Sequence, residues 1–283
     1  MAVSEQIGLS SGLMLAEARH IIDVARDQGV ALRLIGGLAV REHCRRSAFC
    51  ERSYRDIDLV TVAGSAKAAT AVLGGLGWRE NRQVAMATMA RRRQFFRACR
   101  HPAAAGHVHD DDRIDLYLDA FRLHHTIDLR RRLDGGPYTV PKSDVLLVKL
   151  QRTEANDDDL GDMAAVIGDA AELGEDDAPG VLNVRYIARL CAADWGLYHD
   201  VERNVARLRR FLERPAAHRA PAPAAGHREA ASVARRLDVL EAALSGEPKG
   251  LRWRLRASLG ERLAWHEPVD DAEGVYFAPG ERP

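Results

Sequence analysis

The spacing of apolar positions divides this chain into two regimes. From Ser11 to Gln28 apolar residues recur at helical intervals and the run ends at Gly29, predicting an opening helix with a glycine stop. Leu32–Ile35 reads as a first strand and Leu38–Cys44 as a short helix. Asp56–Val62 alternates with the period of two that marks a strand. Ser65 is placed to cap a helix over Ala66–Leu76, which Gly77 ends, and Arg93–Cys99 and Arg113–Leu118 read as neighbouring strands. Beyond about residue 142 strand signals vanish. Helical patterns then cover Ser143–Arg152, Asp158–Ala171, Val184–Trp195, Tyr198–Arg214, Arg228–Leu244 and Leu251–Trp265. The Ala/Pro-rich stretch Arg214–Gly226 reads as a flexible connector, and the Pro- and Gly-containing residues after Glu267 as an extended tail. The expected fold class is α/β: a mixed sheet with flanking helices, followed by an α-helical C-terminal domain.

Composition narrows this picture without changing it. An apolar content of 46% over 283 residues excludes wholesale disorder. No apolar run approaches the ~20 residues that span a bilayer, and Met1–Gln6 lacks the basic start and apolar core of a signal peptide. Cys44, Cys50, Cys99 and Cys191 show no CxxC spacing, so neither a zinc knuckle nor a disulfide framework is indicated. A soluble protein of the reducing cytoplasm is expected. The 41 basic and 41 acidic residues cancel, leaving no global field to draw in nucleic acid. Charge is nevertheless grouped: Arg91–Arg93, Arg97 and Arg100, then Arg130–Arg132, then an acidic block from Glu154 to Asp177. Each basic group reads either as a solvated face or as a rim for triphosphate or an RNA backbone, and so do Arg203, Arg207, Arg209 and Arg210.

The candidate chemistry lies in the first half. Leu34-Ile35-Gly36-Gly37-Leu38 closes a strand and opens a helix, where phosphate can approach bare N–H groups at the positive end of the helix dipole. Asp56-Ile57-Asp58 places two carboxylates on one strand face, roughly 7 Å apart. Asp115 interrupts the apolar run Arg113–Leu118. Aspartate is disfavoured in strands, and half-buried carboxylates need metal or cationic partners.

At these residues the chain resembles the nucleotidyltransferase superfamily, which has the DNA polymerase β-like fold. Its signature is an apolar residue with Gly-Gly or Gly-Ser, a helix, Asp-apolar-Asp, and a third acid on a later strand. The long interval between Gly37 and Asp56, with Arg52 and Arg55 before the aspartate pair, is similar to the abortive-infection toxin branch and its bacterial relatives. So are the lysine-bearing segment around Lys149 and the Asp157–Met163 segment. The resemblance covers residues ~30 to ~170 and implies a catalytic domain over 1–150 followed by a helical domain over 151–283. It further implies Asp56, Asp58 and Asp115 as ligands of Mg²⁺, two ions in number, with Asp115 as general base. Gly36, Gly37, Arg52, Arg55 and Lys149 would bind the nucleotide. The reaction implied is transfer of a nucleoside monophosphate from an NTP, such as ATP, to a hydroxyl on tRNA or a small molecule; the toxin branch adds an antitoxin partner.

Plainer readings stand beside these. Lys149 is equally a snorkelling surface lysine, Asp162 one of several exposed helical acids, and Arg52 and Arg55 surface ion-pair formers, with Asp56 as one partner. His107-Val108-His109 followed by Asp110–Asp112 is rich in ligand types but reads as a hairpin loop. A catalytically silent nucleotide-binding or interaction protein of the same fold is the alternative to an enzyme.

Overall fold

The computed structural model describes residues 3–44, 47–50, 52–54, 56–98, 111–215, 218–219 and 226–267. It is a mixed α/β structure. The long helix α1 (Val3–Asp27) ends at Gly29, whose φ of +73° suits glycine as the stop. Strand β1 (Arg33–Leu34) leads directly into α2 (Gly36–His43), and β2 (Asp56–Thr61) follows. Helix α3 (Ala66–Gly75) begins after a 3₁₀ turn, and Gly77 beyond it has φ +86°. Ser65 occupies the expected cap position, but its side chain makes no capping bond.

Strands β3 (Arg79–Asn81), β4 (Arg92–Ala98) and β5 (Asp111–Leu118) complete a five-stranded sheet in the order β1-β2-β5-β4-β3. Only the β2–β5 pair is parallel; the others are antiparallel. That parallel pair lays Asp56 beside Arg113 and Asp58 beside Asp115. On β2 the apolar side chains Ile57 and Leu59 are buried while Asp56 and Asp58 keep partial exposure, so the period-two pattern separates core from site. Between β3 and β4 lies α4 (Arg82–Ala87), capped by Asn81. A hairpin of β6 (Ala120–Arg122) and β7 (Thr126–Asp128) follows β5.

The second half is mainly helical: α5 (Lys142–Leu150), α6 (Asp157–Asp169), α7 (Val184–Ala193), α8 (Trp195–Glu213), α9 (His227–Gly246) and α10 (Leu251–Leu259). Caps explain several boundaries. Asn156 and Asp159 form a reciprocal capping box on α6, and Asn183 caps α7. Asp194 accepts from the Gly196 and Leu197 N–H groups, so Trp195 opens α8 instead of closing α7. Strands do recur after residue 142, contrary to the apolar pattern: β8 (Glu172–Gly174) and β9 (Val181–Asn183) pair in parallel. Three residues each are too few for alternation to register.

One apolar core runs from Leu15 on α1 through the sheet to Leu244 on α9. Helix α6 packs against α5, α8 and α9 and against the 3₁₀ turn Ala48–Cys50. Cys44, Cys50 and Cys191 are buried free thiols. No helix among the described residues is long and apolar enough to cross a membrane. Residues 99–110, with Arg100 and the His107–His109 motif, and most of the Ala/Pro-rich stretch lie outside the described residues.

Candidate metal and phosphate site

Three adjacent strands each carry polar residues two positions apart: Asp56 and Asp58 on β2, Arg113 and Asp115 on β5, Arg92 and Gln94 on β4. The register aligns Asp58 with Asp115 and Asp115 with Gln94, so these side chains form a single polar patch. Carboxylate oxygens of Asp56, Asp58 and Asp115 lie within 4.8 Å of one another. An all-carboxylate set of this kind suits a hard divalent cation that prefers oxygen ligands.

The three acids differ in their surroundings. Asp115 is buried and accepts bonds from Arg92 (Nε, 3.1 Å) and Gln94 (Nε2, 3.1 Å), with Arg113 Nε 3.4 Å away. Asp56 pairs with the Arg113 guanidinium. Among the described residues none donates to the Asp58 carboxylate. Burial, then the charges of Asp56 and Asp115, push its pKa up to about 8. An acid that is short of donors and crowded by two others could be stabilised by a cation shared with them.

The glycines form the opposite wall. Gly36 has φ +65°, and a Cβ there would collide with the Asp58 carboxylate. A Cβ at Gly37 would lie 2.6 Å from the Arg52 guanidinium and 3.1 Å from the Tyr54 ring. Ile35 precedes α2 without a capping side chain, and the first turn contains no acid, so its leading N–H groups are uncapped where Gly36 and Gly37 line the pocket.

A third side is a buried ion network. Asp162 on α6 is fully buried, not one of the exposed acids the acidic block led one to expect, and holds Arg52 through two bonds of 3.1 and 2.7 Å. It also lies 2.9 Å from Lys149 Nζ, which donates to Asp159 at 3.0 Å; Asp159 in turn takes Arg152 at 2.9 Å. Lys149 is thus buried and not a snorkelling surface residue. Burial alone would lower the Lys149 pKa, but Asp162 and Asp159 outweigh it and the ammonium is held charged. Arg52 partners Asp162 and stacks over the Tyr54 ring at 4.3 Å, leaving Asp56 to Arg113. Arg55 lies outside the described residues.

Arg52, Lys149, Arg92, Arg113 and Arg152 therefore surround the acids in a pocket of about 140 Å³ that Tyr117 and Phe121 also line. Sites that enclose a whole small molecule are larger, about 300–1,000 Å³, so this pocket alone does not enclose a molecule of that size. Arg92 falls in the Arg91–Arg93 group that the sequence offered as a solvated face or a phosphate rim, whereas Gln94, Arg113, Tyr117, Phe121 and Arg152 were not anticipated as site residues. Their signal was available only in part: Arg92-x-Gln94 and Arg113-x-Asp115 repeat the spacing of Asp56-x-Asp58, but the register that aligns them is a tertiary fact. The other arginine groups are largely occupied. Arg93 pairs with Glu80, Arg97 with Glu17, Arg132 with Asp144 and Asp177, and on α8 Arg203 with Glu261 and Arg209 with Asp238 and Glu241. Comparison with protein-family models, curated proteins and solved structures gives no match to this chain.

Proposed function

We propose that this protein is a divalent-metal-dependent nucleotidyltransferase, transferring a nucleoside monophosphate from an NTP to a hydroxyl-bearing acceptor such as tRNA or a small molecule. The observation that carries the reading is the convergence of Asp56, Asp58 and Asp115 beside the uncapped glycine start of α2, inside a ring of five cationic side chains. Asp56, Asp58 and Asp115 would hold Mg²⁺, two ions by the resemblance, and the bound metal would supply Lewis-acid stabilisation of charge on the phosphoryl group. The N–H groups at Gly36 and Gly37 and the Lys149 and Arg52 side chains would bind the triphosphate, with Asp162 fixing both cations in place. Arg92 and Arg113 pair with the acids here, and with a cation on those acids their guanidinium groups would be available to hold phosphate oxygens. Asp115 would accept the proton of the acceptor hydroxyl.

The test is incubation with labelled NTPs, Mg²⁺ and pools of RNA or small molecules, followed by assay of pyrophosphate and labelled product. Pyrophosphate release by the wild type and none by Asp58→Asn supports the reading; none from either, with every NTP and pool, refutes it. One observation favours a second reading, a catalytically silent nucleotide-binding or interaction protein. Arg113 joins Asp56 and Asp115, and Arg92 joins Asp115, balancing much of the charge without any cation. Calorimetry with Mg²⁺ and Mn²⁺ separates the two, because a silent site locked by its arginines takes up neither ion.

A further inference from the structure

Helix α10 contributes no buried residue to the core. Its inner side is nevertheless firmly seated. Trp253 Nε1 donates to the Cys191 carbonyl at 2.9 Å and its ring meets Tyr198 edge-on at 5.3 Å. Arg256 lies 4.5 Å over the Trp195 ring and ties down the Gly260, Leu263 and Ala264 carbonyls. This seating fixes the rotation of the helix, and the opposite side carries a stripe of leucine. Leu251, Leu255 and Leu259 follow one another at i, i+4 and i+8 and are 75%, 60% and 43% exposed, and Leu263 just beyond is 54% exposed. Single exposed leucines need no explanation, but an aligned row of them on a clamped helix does.

At 100° per residue, Arg252 falls on one flank of the stripe and Arg254 on the other. Both are exposed, and among the described residues neither engages another side chain, nor does exposed Arg262 beyond the helix. We propose that α10 is a docking surface for a partner protein that presents an acidic amphipathic helix, with apolar residues at three- and four-residue spacing and carboxylates on the flanks. A leucine row edged on both sides by unpaired cations is one half of a helix pair, in which flanking charges choose the mate. A second copy of α10 would set arginine against arginine, which disfavours self-pairing. The stripe is one helix wide and three turns at most, matching a helix better than a membrane plane, and the small area implies a weak association. This surface is separate from the metal and phosphate site and does not depend on the proposed reaction.

The test uses the full chain and a fluorescein-labelled synthetic helix with leucine at three- and four-residue spacing and glutamate on the flanks, beside the same peptide with lysine in place of glutamate. Fluorescence anisotropy is expected to show saturable binding of the glutamate peptide only, weakening several-fold as salt is raised. Leu255→Glu should reduce affinity at least about tenfold, and the double variant Arg252→Ala, Arg254→Ala should remove most of the salt dependence. Leu251→Ser, at the most exposed position, gives a second variant that keeps the fold and should also weaken binding. Absent binding, equal binding of the lysine peptide, or unchanged affinity in Leu255→Glu overturns the proposal. Sedimentation with phosphatidylserine vesicles that Leu255→Glu abolishes would reassign the stripe to a membrane surface, and a dimer that Leu255→Glu dissolves would reassign it to a second copy.

Discussion

Asp58 is the residue on which charge and stability meet most directly. Its carboxyl has a folded-state pKa raised to about 8 by burial and by Asp56 and Asp115. Because that value lies above the unfolded one, the folded chain holds a proton that the unfolded chain has released. Stability of the metal-free protein should therefore fall as pH rises from about 4, the unfolded carboxylate value, and level off above about 8. Asp58→Asn removes this dependence, so in EDTA the variant should melt above the wild type at pH 8 and converge with it near pH 4. Melting curves across that range test the assignment, and a wild type that gains stability with pH relative to the variant would contradict it. Metal uptake by the wild type should release a proton near neutral pH, and Asp58→Asn should lose the Mg²⁺-dependent rise in melting temperature. At Gly36 the constraint is steric: Gly36→Ala both forces alanine to φ +65° and drives its Cβ into the Asp58 carboxylate. It should lower stability by about 1–3 kcal/mol and abolish the Mg²⁺-induced shift, whereas Gly64→Ala, with open space around it, should leave that shift intact.

Between elements, α6 and the segment before β2 are joined through ions instead of apolar contacts alone. Asp162 holds both Arg52 and Lys149, so Asp162→Ala leaves two cations with their main partner removed. Urea unfolding should show a loss of about 3–5 kcal/mol. The triple variant Arg52→Met, Lys149→Met, Asp162→Leu should recover much of it, and a triple variant as unstable as Asp162→Ala would show that the network is not the cause. This network also marks how far the sequence could be read. Asp56, Asp58 and the glycine turn were legible because an aspartate at alternate strand positions and a glycine at a strand end are local signals. Asp162 and Lys149 were not separable from surface charge, since burial is set by the packing of α5 and α6. Arg113, and the contact of Arg92 with Asp115, were hidden for another reason: they depend on which strands become neighbours, and the order β2-β5-β4 places a strand from the middle of the chain between two earlier ones. Short elements escaped too. β3, β8 and β9 have three residues each, and the β6–β7 hairpin turns without a glycine.

Over the whole molecule, sheet and helices share one apolar core, and Trp78 sits on the sheet side while Trp195, Trp253 and Trp265 sit among the later helices. Unfolding followed by tryptophan fluorescence and by far-ultraviolet circular dichroism should therefore coincide in a single transition; two separated transitions would mean that the halves fold independently. The parallel pairing of β2 with β5 has a consequence for how the protein comes into being. Asp56 and Arg113, side by side in the sheet, are 57 residues apart in the chain. At roughly 5–20 residues per second, a ribosome releases the first two acids seconds before the third. Until β5 arrives, β2 has only the two-residue β1 beside it, and an open strand edge invites pairing with other chains. A nascent chain ending before Asp111 should thus bind Mg²⁺ no better than an unfolded peptide and should aggregate, while one extended through α6 gains the acids, the edge cover and the Asp162 anchor together.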